Sequence, residues 1–333
     1  MKKALSILTV GCLAVSLAAC GSTAASSAAS AADSTASSAA ESTAASDTAA
    51  ADGQTYKVGI CQLVQHVALD AATQGFKDAL TEQLGDAVTF EEKNAQGDSN
   101  TCTTIINGFV SDNVDLILAN ATPALQAAQA GTNTIPVLGT SVTEYGVALG
   151  IDDFDGLVGT NISGTSDLAP LDEQAGIIKE LFPDAKTVGL LYCSAEPNSQ
   201  YQVDTVKASL EELGYTCEYY AFSDSNDLAT VCQSAADASD VIYVPTDNTV
   251  ANNTEIVNNI CQPAGVPVVA GEEGIMSGCG VATGKMAAKI LTGESKVEEM
   301  PIEYAPEFTK EYNPTIAEAL GITIPDDYVA YEG

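Results

Sequence analysis

The sequence predicts an α/β fold of two doubly wound lobes. Short β-rich apolar runs alternate with longer helical patterns, as a parallel sheet with crossover helices requires. The same grammar restarts midway along the chain. About 280 residues follow a low-complexity start, more than one compact core normally holds.

Tyr56–Cys61, Ala87–Glu91, Asp115–Ala119 and Ile135–Leu138 read as strands of the first lobe. Between them, Leu69, Phe76, Leu80 and Leu84 fall on one helical face, and Ile105, Ile106, Phe109 and Val110 form a second apolar stripe. The second lobe offers strands at Thr187–Tyr192, Tyr215–Ala221, Asp240–Val244 and Val266–Ala270. Its helices read as Leu171–Phe182, Ser199–Leu213, Leu228–Ala236 and Thr249–Cys261. Gly214 suits a left-handed helix stop, and Pro183 and Pro263 are expected to end two other helices.

The first residues read as an export signal. Lys2 and Lys3 precede an apolar run from Ala4 to Ala19, too short for a comfortable membrane span. The run ends in Leu17-Ala18-Ala19-Cys20-Gly21, which looks like a bacterial lipobox, so residues 1–19 are expected to be removed and Cys20 to be lipidated. Two or three acyl chains, at about 0.8 kcal/mol per buried methylene, anchor stably where one would not. The expected location is therefore the outer face of the cell membrane. Residues 20–53 are almost wholly Ser, Ala and Thr with scattered acids, too polar to bury a core, and read as a tether with a reach of roughly 30 Å.

The formal charge is −33, and all twelve basic residues are lysines. A chain without arginine, tryptophan or a basic stripe lacks the footprint of a nucleic-acid binder. The acidity is read as solubility. Beyond Cys12 and Cys20 there are Cys61, Cys102, Cys193, Cys217, Cys232, Cys261 and Cys279, with no C-x-x-C spacing. A chain with this much apolar sequence needs no staples, so mostly buried, reduced thiols are expected. With His66 as the sole histidine, a zinc site is not expected, and no cofactor is called for.

In doubly wound sheets the strand ends that precede helices line a crevice, and the loops there carry binding chemistry. In the first lobe they hold Gln62 and His66, then Asn120 and Thr122, then Thr140 and Ser141. In the second they hold Asn198 and Ser199, then Thr246, Asp247 and Asn248, and then Glu272. Each loop alone is explained by helix capping. Two facing sets, with helix-start N–H groups able to hold a carboxylate, suit a zwitterion. Without arginine, the anion falls to helix ends, hydroxyls, amides or lysine, and Asp247 or a glutamate could hold an ammonium group. Asp247→Ala is accordingly expected to weaken binding more than Asp227→Ala. Tyr192, Tyr201 and Tyr243 could stack on an aromatic ligand, with core packing as the commoner role.

Four stretches together resemble the ABC transporter substrate-binding protein family that includes tryptophan- and tyrosine-binding proteins. They are Gln65-His66-Val67-Ala68-Leu69-Asp70 with Gly75-Phe76, Ala119-Asn120-Ala121-Thr122-Pro123-Ala124, Gly164-Thr165-Ser166-Asp167, and Pro245-Thr246-Asp247-Asn248-Thr249. The resemblance implies a type I periplasmic-binding-protein fold, in which two Rossmann-like lobes joined by a hinge close on a small solute, an amino acid and in some members an aromatic one. It also implies a membrane permease and its ATPase as partners. The expected lobes are 54–162 with 281–299, and 163–280 with 300–333. One departure is visible: Gly280-Val281-Ala282-Thr283 meets Gly284-Lys285-Met286 directly, as if about ten residues of a further strand and crossover were missing. That bears on hinge geometry, stability and affinity.

Enzyme readings find little. Gly280 to Met286 lacks the Ser or Thr of a phosphate loop, and Gly278, Gly280 and Gly284 are read as flexibility beside a crossover. There is no nucleophile elbow, and His66 has no triad partner in sequence. The chain reads as no enzyme. A receptor lipoprotein that signals to a membrane sensor would use the same lobes and stays open as an alternative to transport.

Overall fold

The computed structural model describes residues 54–271, 276–305 and 308–331. The export signal, Cys20, the tether and Glu272 lie outside the described residues.

The first lobe is built from β1 (Tyr56–Gln62), α1 (Val67–Leu84), β2 (Val88–Asn94), α2 (Ser99–Ser111), β3 (Leu116–Asn120), α3 (Thr122–Gly131), β4 (Val137–Val142), α4 (Tyr145–Leu149) and β5 (Ile162–Ser166). The second continues with α5 (Leu171–Leu181), β6 (Thr187–Cys193), α6 (Pro197–Glu212), β7 (Thr216–Phe222), α7 (Ser225–Ala238), β8 (Val241–Val244), α8 (Asn248–Ala251), α9 (Thr254–Ala264) and β9 (Val268–Ala270). Then come α10 (Met276–Leu291), β10 (Glu303–Tyr304), β11 (Glu311–Tyr312), α11 (Pro314–Leu320) and β12 (Val329–Ala330).

The first sheet runs β10-β5-β4-β3-β1-β2 and the second β7-β6-β8-β9, every pairing parallel. Parallel strands are covered on both faces, so β3 and β4 are buried end to end and read as unbroken apolar or small-residue runs. On one face of the first sheet, Val58, Ile60, Leu116 and Leu118 pack against Phe76 and Leu80 of α1 and Met286 and Ala287 of α10. On the other, Cys61, Ile117 and Val137 meet Ile106 and Phe109 of α2 and Leu125 of α3. The second sheet is sandwiched likewise, with α5 and α6 on one face and α7 and α9 on the other.

Several expectations change. β5 pairs with β4, so the chain leaves the first sheet after Ser166, later than the expected boundary at 162. The Glu303–Tyr304 strand, expected in the second lobe, pairs with β5 at the edge of the first sheet. Its neighbour Ile302 is buried in the first lobe's core. First-lobe material resumes with α10, which begins at Met276 and not at 281. Farther along the tail, Lys310 Nζ lies 3.2 Å from Glu180 Oε2 of α5, and Tyr328 donates its hydroxyl to the same oxygen at 3.0 Å. Pro263 sits inside the last turn of α9, and the helix stops at Gly265, φ +73°. Proline in a last turn lacks an N–H, yet Gly265 still donates to Cys261 and Gln262.

Gly280 and Gly284, read as flexible, lie within α10 where it crosses α1. A Cβ on Gly280 would sit 2.1 Å from Ala72 O, and one on Gly284 2.6 Å from Phe76 O. The four-residue spacing puts both on one helical face, and the missing side chains let two backbones touch. Among the described residues no strand pairs with the outer edge of β9. There a cavity of about 940 Å³ opens between α5, α9 and the tail, lined by Gln174, Val268, Ala270 and Phe308 among others.

Candidate ligand-binding site

In each sheet the strand order reverses beside the lobe's first strand, between β1 and β3 and between β6 and β8. Ligand crevices form outside the carboxyl ends of strands at such switch points. Every candidate residue within the described part lies at one of these ends, and all but the half-buried His66 are buried.

In the first lobe, Gln62 donates from Nε2 to Val64 O at 2.9 Å and Asp70 Oδ1 at 2.7 Å, while its Oε1 accepts from Thr73 at 2.6 Å. Asn120 donates to Leu69 O and Thr73 Oγ1, both at 2.9 Å. These amides therefore tie the ends of β1 and β3 to α1, and Asn120 Oδ1 is left without a partner. Thr122 Oγ1 and Ser141 Oγ are likewise buried and unpaired. Ser141 and Ala121 hold positive φ, +55° and +94°, a conformation that L side chains adopt at a cost and that gathers at functional loops. Thr140 Oγ1 accepts from Thr165 Oγ1 at 3.4 Å.

In the second lobe, Thr246 O collects donors from Asn198 Nδ2 at 2.9 Å, Gln202 Nε2 at 3.3 Å and Ser199 Oγ at 3.4 Å. Asp247 caps α8: Oδ1 accepts from Val250 N at 2.9 Å and Oδ2 from Cys193 N at 2.7 Å. Burial, with the Glu196 charge behind it, raises this carboxyl above the usual carboxylate range, against the pull of those two N–H groups. Both oxygens being engaged by backbone, Asp247 fixes the loop. Glu196 accepts from the Asn248 N–H and side-chain amide with one oxygen, and from the Thr249 N–H and hydroxyl with the other. Asn198 Oδ1 is the candidate atom of this lobe left buried and unpaired.

One contact joins the two sets: His66 Nε2 lies 3.2 Å from Asn248 Oδ1. Burial lowers the His66 pKa against the pull of Asn248, Glu196 and Asp70, and a ring carrying its proton on Nε2 donates this bond.

Reading the loops by sequence placed Glu196 in a candidate loop without assigning it a role, and missed Asp167 and Gln202. Asp167 follows β5 where the chain leaves the first sheet, is 1% exposed, and has neither carboxylate oxygen in a well-formed hydrogen bond. Burial pushes its carboxyl up to about 6, a rise that the nearby Thr143 hydroxyl partly offsets. The Gly164 to Asp167 motif held the signal, but its strand went unrecognised. The tyrosines divide differently: Tyr243 is a core residue donating to Gln174 Oε1 at 2.5 Å, and Tyr192 donates to Gln200 and packs edge-on against Tyr219. Tyr201 is half-buried.

The sequence matches the family described as ABC transporter substrate binding protein over residues 57–332. A tyrosine-binding protein of Clostridioides difficile is 35% identical over 260 residues, covering 74% of this chain and 75% of that protein. Among solved structures, an ABC domain from Streptococcus pneumonia in complex with L-Trp is 32% identical with a TM-score of 0.77, covering 82% of this chain and 97% of the other. The ligand-free, open structure of a substrate-binding protein with adhesive properties from Clostridium difficile is 37% identical with a TM-score of 0.62, covering 84% of this chain and all of the other. With two doubly wound lobes and a match over nearly all the described residues, this chain belongs to the ABC transporter substrate-binding protein family.

Proposed function

We propose that the chain captures a free amino acid, an aromatic one, between its lobes and delivers it to a membrane permease from a lipid anchor at Cys20. The observation that carries this reading is the set of buried polar atoms left open: Thr122 Oγ1, Ser141 Oγ, both Asp167 oxygens and, across the lobes, Asn198 Oδ1. Buried polar groups are normally paired, so orphans near the strand ends of both lobes ask for a polar guest. In our reading Asp167 receives the ammonium group, and the Thr122 and Ser141 hydroxyls receive the carboxylate. Micromolar binding corresponds to about −8 kcal/mol, within reach of a few charge-assisted bonds and an apolar pocket.

Closure supplies the mechanism. A ligand that contacts both lobes binds the closed arrangement better and shifts the population toward it. The His66 to Asn248 contact supports a closed arrangement here. So does the better superposition on the Trp-bound relative than on the open, ligand-free one, although the latter is closer in sequence. Calorimetric titration with L-Trp, L-Tyr and L-Phe tests the ligand class. We expect binding to at least one, with the ligand recovered unchanged. Silence towards all three alongside a response to another solute would overturn the aromatic assignment, and turnover of the ligand would overturn the transport reading. Membrane fractionation of Cys20→Ser, expected to release the protein, tests the anchor.

A further inference from the structure

We propose that Cys232 and Cys261 form a disulfide in the exported protein, closing covalently the segment that carries the second lobe's candidate ligand loop. Cys232 lies on α7 and Cys261 on α9, and their sulfurs are 3.7 Å apart. Both are buried, in one apolar core with Leu228, Ala235, Ile242 and Val257. A sulfur–sulfur bond of about 2.05 Å requires the two sulfurs to close in from that separation. Among the described residues no third His, Cys, Asp or Glu joins them to suggest a metal. The two sulfurs are buried and unbridged in this structure, as composition leads one to expect, and the proposal rests on their proximity. The stretch between them holds β8, Thr246 to Asn248 and α8, so the bond ties together the two helices that flank the loop.

The chemistry balances as thiol–disulfide exchange with a protein or low-molecular-weight disulfide. One Cys thiolate attacks the acceptor, forming a mixed disulfide and expelling one thiol. The second Cys thiolate then attacks that mixed disulfide, expelling the other. The two cysteines lose two electrons and two protons, and the acceptor is reduced to two thiols. Because burial closes this site to oxidants, the bond must form while the chain folds, and it is shielded from reductants afterwards. The inference rests on the export reading, since only an oxidising compartment keeps such a bond.

The test refolds the full chain with oxidised and reduced glutathione, alkylates remaining thiols and maps peptides by mass spectrometry. We expect a Cys232–Cys261 linked pair, absent from Cys232→Ser and from Cys261→Ser. Reduction under denaturing conditions and refolding with reductant should then lower Tm by about 5–10 °C in the natural chain and leave a Cys232→Ala/Cys261→Ala double variant unmoved. Full alkylation of both residues in folded, oxidatively refolded protein would overturn the proposal, as would a bond between other cysteines, such as Cys61 and Cys102, with this pair alkylated. A bond present after refolding but absent in protein isolated from cells would place the failure in the export reading.

Discussion

Asp167→Asn separates stability from binding. The carboxyl is fully enclosed, and burial above all pushes it up to about 6 from an ordinary value of 3.8. At 1.36 kcal/mol for each pH unit, that difference makes the ionised side chain cost the unliganded fold about 3 kcal/mol. The sign follows from linkage: the folded pKa is the higher one, so no cost exists below about pH 4, it grows between pH 4 and 6, and it is complete above 6. Asn keeps the shape without the charge. Unliganded Asp167→Asn should therefore gain on the natural chain by about 3 kcal/mol between pH 4 and pH 7.5, read by urea denaturation at both pH values. Amino-acid affinity should fall at least tenfold at pH 7.5, since a charge-assisted bond to the ammonium group is lost. In the natural chain, affinity should strengthen as pH rises through 6. A variant whose stability tracks the natural chain at both pH values would refute the buried-charge argument, and unaltered calorimetric affinity would refute the ligand assignment.

Three further outcomes follow from the packing. Asp247→Ala should cost about 2 kcal/mol of stability, because it strips a helix cap and orphans the Cys193 N–H, while Asp227→Ala at the exposed start of α7 should stay within about 0.5; equal melting curves would refute the loop-fixing role. His66→Ala removes the hydrogen bond across the lobes, worth about 1 kcal/mol, so small-angle scattering should show a larger unliganded radius of gyration and apparent affinity should drop about fivefold. Gly280→Ala should destabilise by about 3 kcal/mol through its clash with Ala72 O, whereas Gly176→Ala, with open space around it on α5, should stabilise by about 0.5 kcal/mol in thermal or urea melts.

Much of the fold was legible because apolar periodicity reports burial directly. The four first-lobe strands and four second-lobe strands read from the sequence all recur, with ends displaced by at most four residues. β5 was not read as a strand: Ile162-Ser163-Gly164-Thr165-Ser166 is polar, and is buried only because Thr165 bonds Thr283 at 2.8 Å and Ser163 bonds Met300 O at 2.9 Å. Those partners lie more than a hundred residues away, where no local pattern reaches. The helix expected at Thr249–Cys261 divides at Asn252 and Asn253, since Asp247 and Asn253 each start a separate helix.

Sequence by itself determined the two-lobe α/β plan, the family and the strand ends at which polar loops gather, because burial periodicity and cap chemistry are local properties of the chain. Only the tertiary structure decided which of those polar groups are spent. Asp247, Gln62 and Glu196 are consumed by backbone and neighbouring side chains, while Asp167, Thr122 and Ser141 are buried with side-chain oxygens in no well-formed hydrogen bond. The reason is physical: a carboxylate reads the same in sequence whether or not the fold brings well-placed N–H groups to both its oxygens, and that is fixed by the packing of distant segments.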